Sequence, residues 1–521
     1  MTALARALDA LAAALAAAAV LVSATGGATL GGLALTRAED FVVALAAVTG
    51  LRWLVRPWPR PAVRPARAVA AGVVVYAVGM SFITVTRHWA LRTHALDLGQ
   101  YLQVIWSLAA GHGARTTMPT TPNPISFWGE HFSPVFYLLA PLEWLAPGAE
   151  VLLVAQTLIL AAGGVAVFGF ARRRLGAPAA AVFALLYLLN PSLHGINIRD
   201  IHPQAFAIPL LVAAAWAFDA GRPAWCAAAL VLTLACREDA AVAVVGFGLW
   251  LAVARRRRAL GAAVAAAALA VLVVDLQVLM PPLRGAPYSH LHRWAYLGAS
   301  VGEILTNAVL RPWRWLAVGL APAKLFYLAK VLAPLGFLPL LAPRALLAAA
   351  PTLAMNLLSV DPILINHRAQ YQSFVLPFLV LAAVEGWGAL RARAVAGRRP
   401  APAGVLAFAL VASVAMTART VNDFTVTRWW PGAEQRAAWA LMTRVPPEAS
   451  VTANDRIVAH LATRREIYLT PTNVGKSEYV FERVSEVPAP PEGYRLVARE
   501  GNWVLYRRGE PGARRERRPS S

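Results

Sequence analysis

The hydrophobic positions of this chain fall in runs of about 15 to 25 residues, separated by short polar or Arg-rich breaks. That run length matches the span needed to cross a hydrocarbon core about 30 Å thick. The pattern predicts about thirteen transmembrane helices, near residues 10–33, 41–55, 68–85, 151–170, 179–189, 204–218, 225–235, 240–253, 260–279, 325–341, 345–359, 374–390 and 405–416. Two long connections, 86–148 and 280–323, interrupt the alternation. The expected fold is therefore an all-α polytopic membrane protein, and the chain's polar end after residue 418 is a separate soluble unit.

The breaks give an orientation. Arg52, Arg56, Arg60, Arg64 and Arg67 fill one, the arginines at 172–174 a second and those at 255–258 a third; Arg391, Arg393, Arg398 and Arg399 fill a fourth. Placing these four clusters in the cytoplasm follows the positive-inside rule. It puts the N-terminus inside, both long connections outside, and the C-terminal unit on the extracytoplasmic face of the plasma membrane. His88, His94, His112, His131, His194, His202, His290, His292, His367 and His460 then all fall in external segments. So do Asp97, Glu130, Asp200 and Asp361. Polar chemistry is concentrated on one side.

Composition agrees: 58% of the 521 residues are hydrophobic and 15% charged, with a mean hydropathy of +0.54. The net charge of +22 does not point to nucleic acid, because the arginines sit between apolar runs and not on one basic face. Arg6 precedes an Ala-rich run that resembles a signal peptide. The run is longer than a signal peptide's apolar region, and an uncleaved helix is expected. Cys226 and Cys236 stand about 15 Å apart along one helix, too far for a disulfide, and no CxxC metal pattern occurs.

Four units result: residues 1–67 with two helices and an Arg-rich loop, a membrane domain 68–418, a small α/β domain 419–509, and a basic tail 510–521 expected to be disordered. Residues 94–110 read as a helix lying in the membrane interface, with Leu98, Tyr101, Leu102, Ile105 and Leu108 on its apolar face. Residues 133–147 are apolar, short and broken by proline, and are expected to lie flat or re-enter. In the C-terminal domain, helices are expected at 434–444 and 456–465. Strands are expected at 450–453 and 467–469, with a hairpin of 494–498 and 503–507.

Five polar clusters carry candidate chemistry. His94, Asp97 and Gln100 open the interfacial helix; Glu130 and His131 follow Trp128; Arg199, Asp200 and His202 form a third. His367 and Arg368 follow Asn366, and Arg237, Glu238 and Asp239 are consecutive between two short spans. Each has a bland reading: Asp97 as a helix N-cap, His202 before Pro203 as a helix start, Glu130–His131 as loop polarity, and His367–Arg368 as a headgroup contact. Three adjacent ionised side chains at bilayer depth are costly unless paired or wet, about 2.5–3.5 kcal/mol each. Arg237 can pair with a neighbouring carboxylate, and the cluster is expected to border an external aqueous cavity. Together the clusters offer carboxylates to act as a base and Arg and His to hold phosphate. No P-loop, GxSxG or HExxH pattern occurs.

The strings Asp97-Leu-Gly-Gln-Tyr-Leu-Gln103, Gly129-Glu-His-Phe-Ser-Pro134 and Leu139-Ala-Pro141 resemble a family of predicted membrane proteins of bacteria and archaea, known as a domain of unknown function. Asn190-Pro191, Ile201-His202-Pro203, Arg237-Glu238-Asp239 and Asn366-His367 fit it as well. The resemblance covers about residues 75–390. That family in turn resembles the GT-C superfamily of glycosyltransferases, which use polyprenyl-phosphate sugar donors. By this resemblance Asp97 falls at the superfamily's catalytic acid and would deprotonate the acceptor; Glu130 is the nearest second carboxylate. His131, Arg199, His202 and Arg368 would hold donor phosphate, with Gln100, Asp200, Arg237 and His367 lining the substrate. Glu238 and Asp239 would orient the sugar or, with Asp97, take a divalent cation such as Mg or Mn. Many superfamily members pair two acidic residues at the first site, whereas here Leu98 follows Asp97.

Three functions remain open on the sequence. The first is a membrane glycosyltransferase acting from a polyprenyl-phosphate donor on an envelope glycan, lipid or protein acceptor. The second is a non-catalytic lipid or polyprenyl-phosphate transporter, and the third an envelope-assembly scaffold. One-sided polarity favours the first; a transporter's paired inverted repeats with broken helices are not evident.

Overall fold

A computed structural model describes residues 2–56, 63–119, 126–285, 288–397, 403–485 and 489–509. Arg60, Arg398, Arg399 and the 510–521 tail lie outside the described residues. The body is helical. Five helices are long and apolar enough to cross a bilayer, Ala3–Thr25, Pro65–Trp89, Ala149–Leu175, Arg258–Leu279 and Gly404–Phe424, and counting each of two bent pairs as one span raises this to 7. Shorter apolar helices such as Pro203–Asp219 and Ala240–Ala254 fill the interior, while Pro223–Leu234 leaves Trp225 and Val231 exposed. Cys226 and Cys236 are both free and buried.

Three local departures from the expected helices have plain causes. The first helix ends at Thr25, and Ala28–Leu30 (β1) pairs antiparallel with Leu33–Leu35 (β2) in a hairpin. Gly26, Gly27, Gly31 and Gly32 adopt positive φ there, a conformation glycine tolerates and a helix does not. The stretch 325–359 is not two continuous spans. It is the helix Pro322–Leu332, then short turns at Ala333–Leu335, Leu338–Leu341, Pro343–Leu346 and Leu347–Ala349, then Ala350–Leu357. Pro334, Pro339, Pro343 and Pro351 each remove a backbone donor and interrupt the helical ladder. The expected loop 280–323 contains the helices Val301–Leu310 and Pro312–Gly319, whose apolar side chains had no partner visible in sequence.

The buried core runs through the long helix Ala149–Leu175, which packs against Pro65–Trp89, Ala177–Leu188 and Ala207–Asp219. Close approach is set by glycine: a Cβ on Gly163 would sit 2.1 Å from the Tyr187 hydroxyl, and one on Gly386 2.0 Å from the Leu338 carbonyl oxygen. Since the second obstruction is backbone, Gly386→Ala must push the helix Leu376–Ala396 off the Leu338–Leu341 turn. Overpacking of this kind costs about 1–3 kcal/mol or more. G386A is expected to lower the melting temperature of the purified protein in detergent, whereas alanine at Gly404, which faces open space, leaves it unchanged.

At one end of the bundle Arg174 and Arg255 meet Asp219, and Arg255 Nη2 lies 2.6 Å from Glu385 Oε1. Arg391 donates to the Leu175 carbonyl. Two of the expected Arg clusters and part of a third thus share one end. The C-terminal domain caps the other. Its sheet joins Val451–Ala453 (β3), Ile467–Leu469 (β4), Tyr479–Arg483 (β5), Tyr494–Glu500 (β6) and Trp503–Arg508 (β7) in the order β4-β3-β5-β7-β6. β3 is parallel to both β4 and β5, while β7 is antiparallel to β5 and β6. The helices Ala433–Met442 and Asp455–Leu461 belong to the same domain. The strand β5 was not expected from the sequence; its Tyr-Val-Phe core is only three apolar residues long.

The helix Gln100–Ala109 is not an interfacial helix with a wet face. Leu102, Val104 and Ile105 are buried, and so are Gln100, Gln103 and Ser107. The C-terminal domain covers the polar side: Gln103 Nε2 donates to the carbonyls of Arg464 and Arg465, and a Cβ on Gly99 would sit 2.9 Å from Val458 Cγ1.

Candidate active site

Asp97 does not cap a helix. It sits inside the turn Ala95–Gly99 with φ 71° and ψ −88°, close to the strained γ-turn conformation that non-glycine residues rarely adopt. Such strain costs about 1–3 kcal/mol and persists only where surrounding structure holds it. Here the C-terminal domain does so: Asp455 accepts the Ala95 N–H at 2.9 Å, and its other oxygen lies 2.8 Å from His94 Nδ1. The turn aims the carboxylate away from the helix toward His202, whose Nε2 lies 3.4 Å from Asp97 Oδ2.

His202 and Asp200 are placed by a network inside the membrane body. Gln156 donates to the Asp200 carbonyl at 2.8 Å and accepts the His202 N–H at 2.8 Å. Beside it Thr157 donates to Asn197 Oδ1 at 3.1 Å. Asp200 itself has φ 61°, and its Oδ2 accepts the His94 N–H. Two carboxylate-bearing residues in the left-handed region thus flank one histidine.

A cavity of about 470 Å³ opens beside Asp97. It is lined by Asp97, Tyr101, His131, Arg237, Glu238 and Asp239 and by many apolar residues, including Leu269, Leu272, Leu276, Leu297, Ile304 and Leu305. The side chain of Asp97 keeps 42% of its surface open to that space. Burial would raise its pKa, but the charge of His202, with that of His131 and Arg237, outweighs burial and holds the carboxyl below its ordinary value.

The other walls are tied down. Glu238 receives the Phe132 N–H at 3.1 Å and the Tyr288 hydroxyl at 3.0 Å, with His131 Nδ1 at 3.1 Å. Arg237 forms a two-point pair with Asp239, Nε to Oδ1 at 2.7 Å and Nη2 to Oδ2. The structural pair and the cavity wall expected as alternatives for this cluster therefore coexist. Gln204 is 1% exposed, faces the cavity, and has neither amide atom in a hydrogen bond. His290 Nε2 and Gln370 Oε1 are unpartnered on the same walls. Buried polar groups are rarely left so, and their convergence marks a ligand site.

Of the residues singled out in the sequence, the cavity brings together Asp97, His131, Arg237, Glu238 and Asp239, with His202 directly behind Asp97. Glu130 and Gln100 lie off the cavity and bond to each other at 3.2 Å, positioning the start of the helix Gln100–Ala109. Asp200 backs His94. Arg199, His367 and Arg368 do not line the cavity; Arg368 donates to the Met416 carbonyl and to Thr420. Sequence reasoning missed Tyr101, Gln204, Tyr288, His290 and Arg293 on the walls, and Gln156 and Thr157 beneath them. A glutamine and a threonine in the middle of an apolar span was the available signal.

Among the described residues no three His, Cys, Asp or Glu side chains are grouped to hold a metal ion. Asp97 faces His202, Glu238 is filled by three donors, and Asp239 is taken by Arg237.

Asp200 carries a pH signature. Burial, then the nearby Asp97 charge, push its carboxyl up to about 7. Folded protein therefore keeps this proton between pH 4 and 7 while the unfolded chain has lost it, so stability falls as pH rises through that window. At about 1.4 kcal/mol per pK unit, the melting temperature of wild type is expected to drop from pH 5 to pH 8 more steeply than that of D200N. Parallel profiles would contradict this.

Fold and sequence together define a multi-pass membrane protein, mostly helical, with a small C-terminal β-sheet domain. The architecture is similar to that of ArnT from Cupriavidus metallidurans bound to undecaprenyl phosphate, with a TM-score of 0.51 and 15% identity over 85% of this chain and 97% of that one. It is likewise similar to the apo state of the same protein, with a TM-score of 0.50 and 16% identity over 84% of this chain and 98% of that one. No curated protein matches the chain. Residues 87–489 match the family described as Predicted membrane protein (DUF2079), and the chain belongs to that family.

Proposed function

We propose that the protein is a glycosyltransferase that moves one sugar from a polyprenyl-phosphate donor to an envelope acceptor at the external face of the membrane. The observation that carries this reading is the position of Asp97. It is a strained carboxylate on a cavity that combines a charged cluster with many apolar wall residues, which suits a ligand with an ionic head and a long hydrocarbon tail. The similarity in fold to a protein whose structure holds undecaprenyl phosphate supports the same ligand class.

In this reading the acceptor hydroxyl loses its proton to Asp97 as its oxygen attacks the anomeric carbon. The bond from that carbon to the phosphate oxygen breaks, and polyprenyl phosphate leaves with the electron pair. Arg237 spends two of its five N–H donors on Asp239, leaving others, with Arg293 and His290, to meet the phosphate charge. His202 steadies the Asp97 carboxylate, and Gln204 offers its unpaired amide to the sugar. The C-terminal domain holds the Asp97 turn from the extracytoplasmic side.

The test is turnover by purified full-length protein of a panel of radiolabelled polyprenyl-phosphate sugars, with envelope extract as acceptor. One donor is expected to lose its label to acceptor or, slowly, to water. A protein that binds such donors without ever turning one over is a lipid carrier, and the enzymatic reading fails.

A further inference from the structure

A second concentration of charge lies away from the cavity, where the membrane body meets the C-terminal domain. Arg87 at the end of the helix Pro65–Trp89 lies 3.4 Å from Asp423, and Arg428 lies 3.9 Å from the same carboxylate. Arg92 is within electrostatic range of Arg87, Arg428 and Asp423, and Arg368 of Arg87, Arg199, Arg419 and Asp423. Four guanidinium groups, those of Arg87, Arg92, Arg368 and Arg428, therefore share the Asp423 carboxylate, with Arg199 and Arg419 close to Arg368. Carboxylates on the neighbouring elements are already engaged: Glu39 by Arg37, Glu150 by the Trp89 indole, and Asp455 by His94 and Ala95.

Two further features suit an anion as ligand. Arg87 Nε is buried without a hydrogen-bond partner, and Thr425, 4% exposed, has an unpartnered hydroxyl. Both can donate. The cluster also stands at the helix ends grouped with the candidate site, the opposite end from Arg174 and Arg255, so the positive-inside rule does not account for it. Beside it Phe82 stacks on Phe424 and meets Trp429 edge-on, while Trp430 is 65% exposed. Aromatic side chains of this kind sit at headgroup level.

We propose that these arginines form a second anion site, distinct from the donor cavity, that holds a phosphate group at the membrane–water interface. Guanidinium groups bind phosphate through paired N–H donors. The phosphate can belong to an anionic phospholipid headgroup or to a soluble phosphate. The site does not depend on glycosyl transfer.

Arg199 and Arg419 are exposed, so R199Q/R419Q removes two charges without opening the core; R368Q removes a third, more enclosed one. Wild type and variants, each checked for an unchanged elution profile, are titrated with phosphatidylglycerol and phosphatidylcholine and read by native mass spectrometry. Thermal protection by inorganic phosphate is measured alongside. The expected result is at least tenfold tighter retention of phosphatidylglycerol than of phosphatidylcholine, reduced tenfold or more in both variants. Protection by inorganic phosphate that the variants lose, with no lipid preference, assigns the site to a soluble phosphate. If neither anion distinguishes wild type from R199Q/R419Q or R368Q, the proposal is wrong.

Discussion

Asp97→Asn is expected to lower sugar transfer by about 10²–10⁴-fold, the range of a lost general base, while leaving donor binding within a few-fold of wild type. The amide keeps the shape of the carboxylate and does not disturb the Ala95–Gly99 turn, which the backbone N–H of Ala95 and the side chain of His94 anchor to Asp455. What it removes is the proton acceptor. The pH profile separates this from a structural effect. Because Asp97 is held below its ordinary carboxylate value, its ionised form is complete well below pH 7, and activity of the wild type should not fall on the acid side until its carboxyl protonates. Replacing His202 with Gln removes the leading stabiliser of that ionised form and is expected to move the acid limb upward. If D97N transfers at the wild-type rate, another group is the base.

The second large effect is expected from Arg237→Met. This substitution leaves Asp239 charged beside a buried, desolvated wall. Breaking one partner of a buried pair costs about 3–5 kcal/mol, and the melting temperature should fall sharply. The double variant R237M/D239L removes both charges and is expected to regain most of that stability. It should not regain transfer, because the guanidinium proposed to meet the phosphate is gone. A double variant that is both stable and active would reduce Arg237 to a structural partner and shift phosphate binding to Arg293 and His290.

The class of fold was readable from the chain because a bilayer imposes a run length that water does not. The C-terminal domain was nearly as legible: the β6–β7 hairpin and the helices at 433–442 and 455–461 fall where turn residues and amphipathic spacing put them. The reading lost accuracy where packing decides. Residues 325–359 are apolar enough for two spans, yet four prolines divide them into short turns that fold back on the helix Leu376–Ala396. Val301–Leu310 looked like part of a loop because its apolar face has no local partner; it becomes a cavity wall only through residues far along the chain.

The candidate site shows the same division. Asp97, His131 and the 237–239 cluster were visible because each places charge or imidazole between apolar runs, and a low-dielectric surrounding penalises such groups unless they are used or paired. Their convergence on one cavity is a tertiary fact. The N-cap reading of Asp97 was reasonable from spacing alone, since Asp followed by Gln three residues later is a common helix start. The positive φ that turns the carboxylate outward depends on Asp455, more than 350 residues away. Arg199 and Arg368 carry the right chemistry for phosphate but sit in a different arrangement, beside Arg419 and Asp423.

The most direct test of the account is photocrosslinking with a polyprenyl-phosphate sugar bearing a diazirine on its first isoprene units, mapped by mass spectrometry on the full-length protein. Labelling of the wall formed by Leu272, Leu276, Leu297 and Leu305, competed by unlabelled donor, is the predicted result. Competed labelling elsewhere, with that wall unmarked, would contradict it.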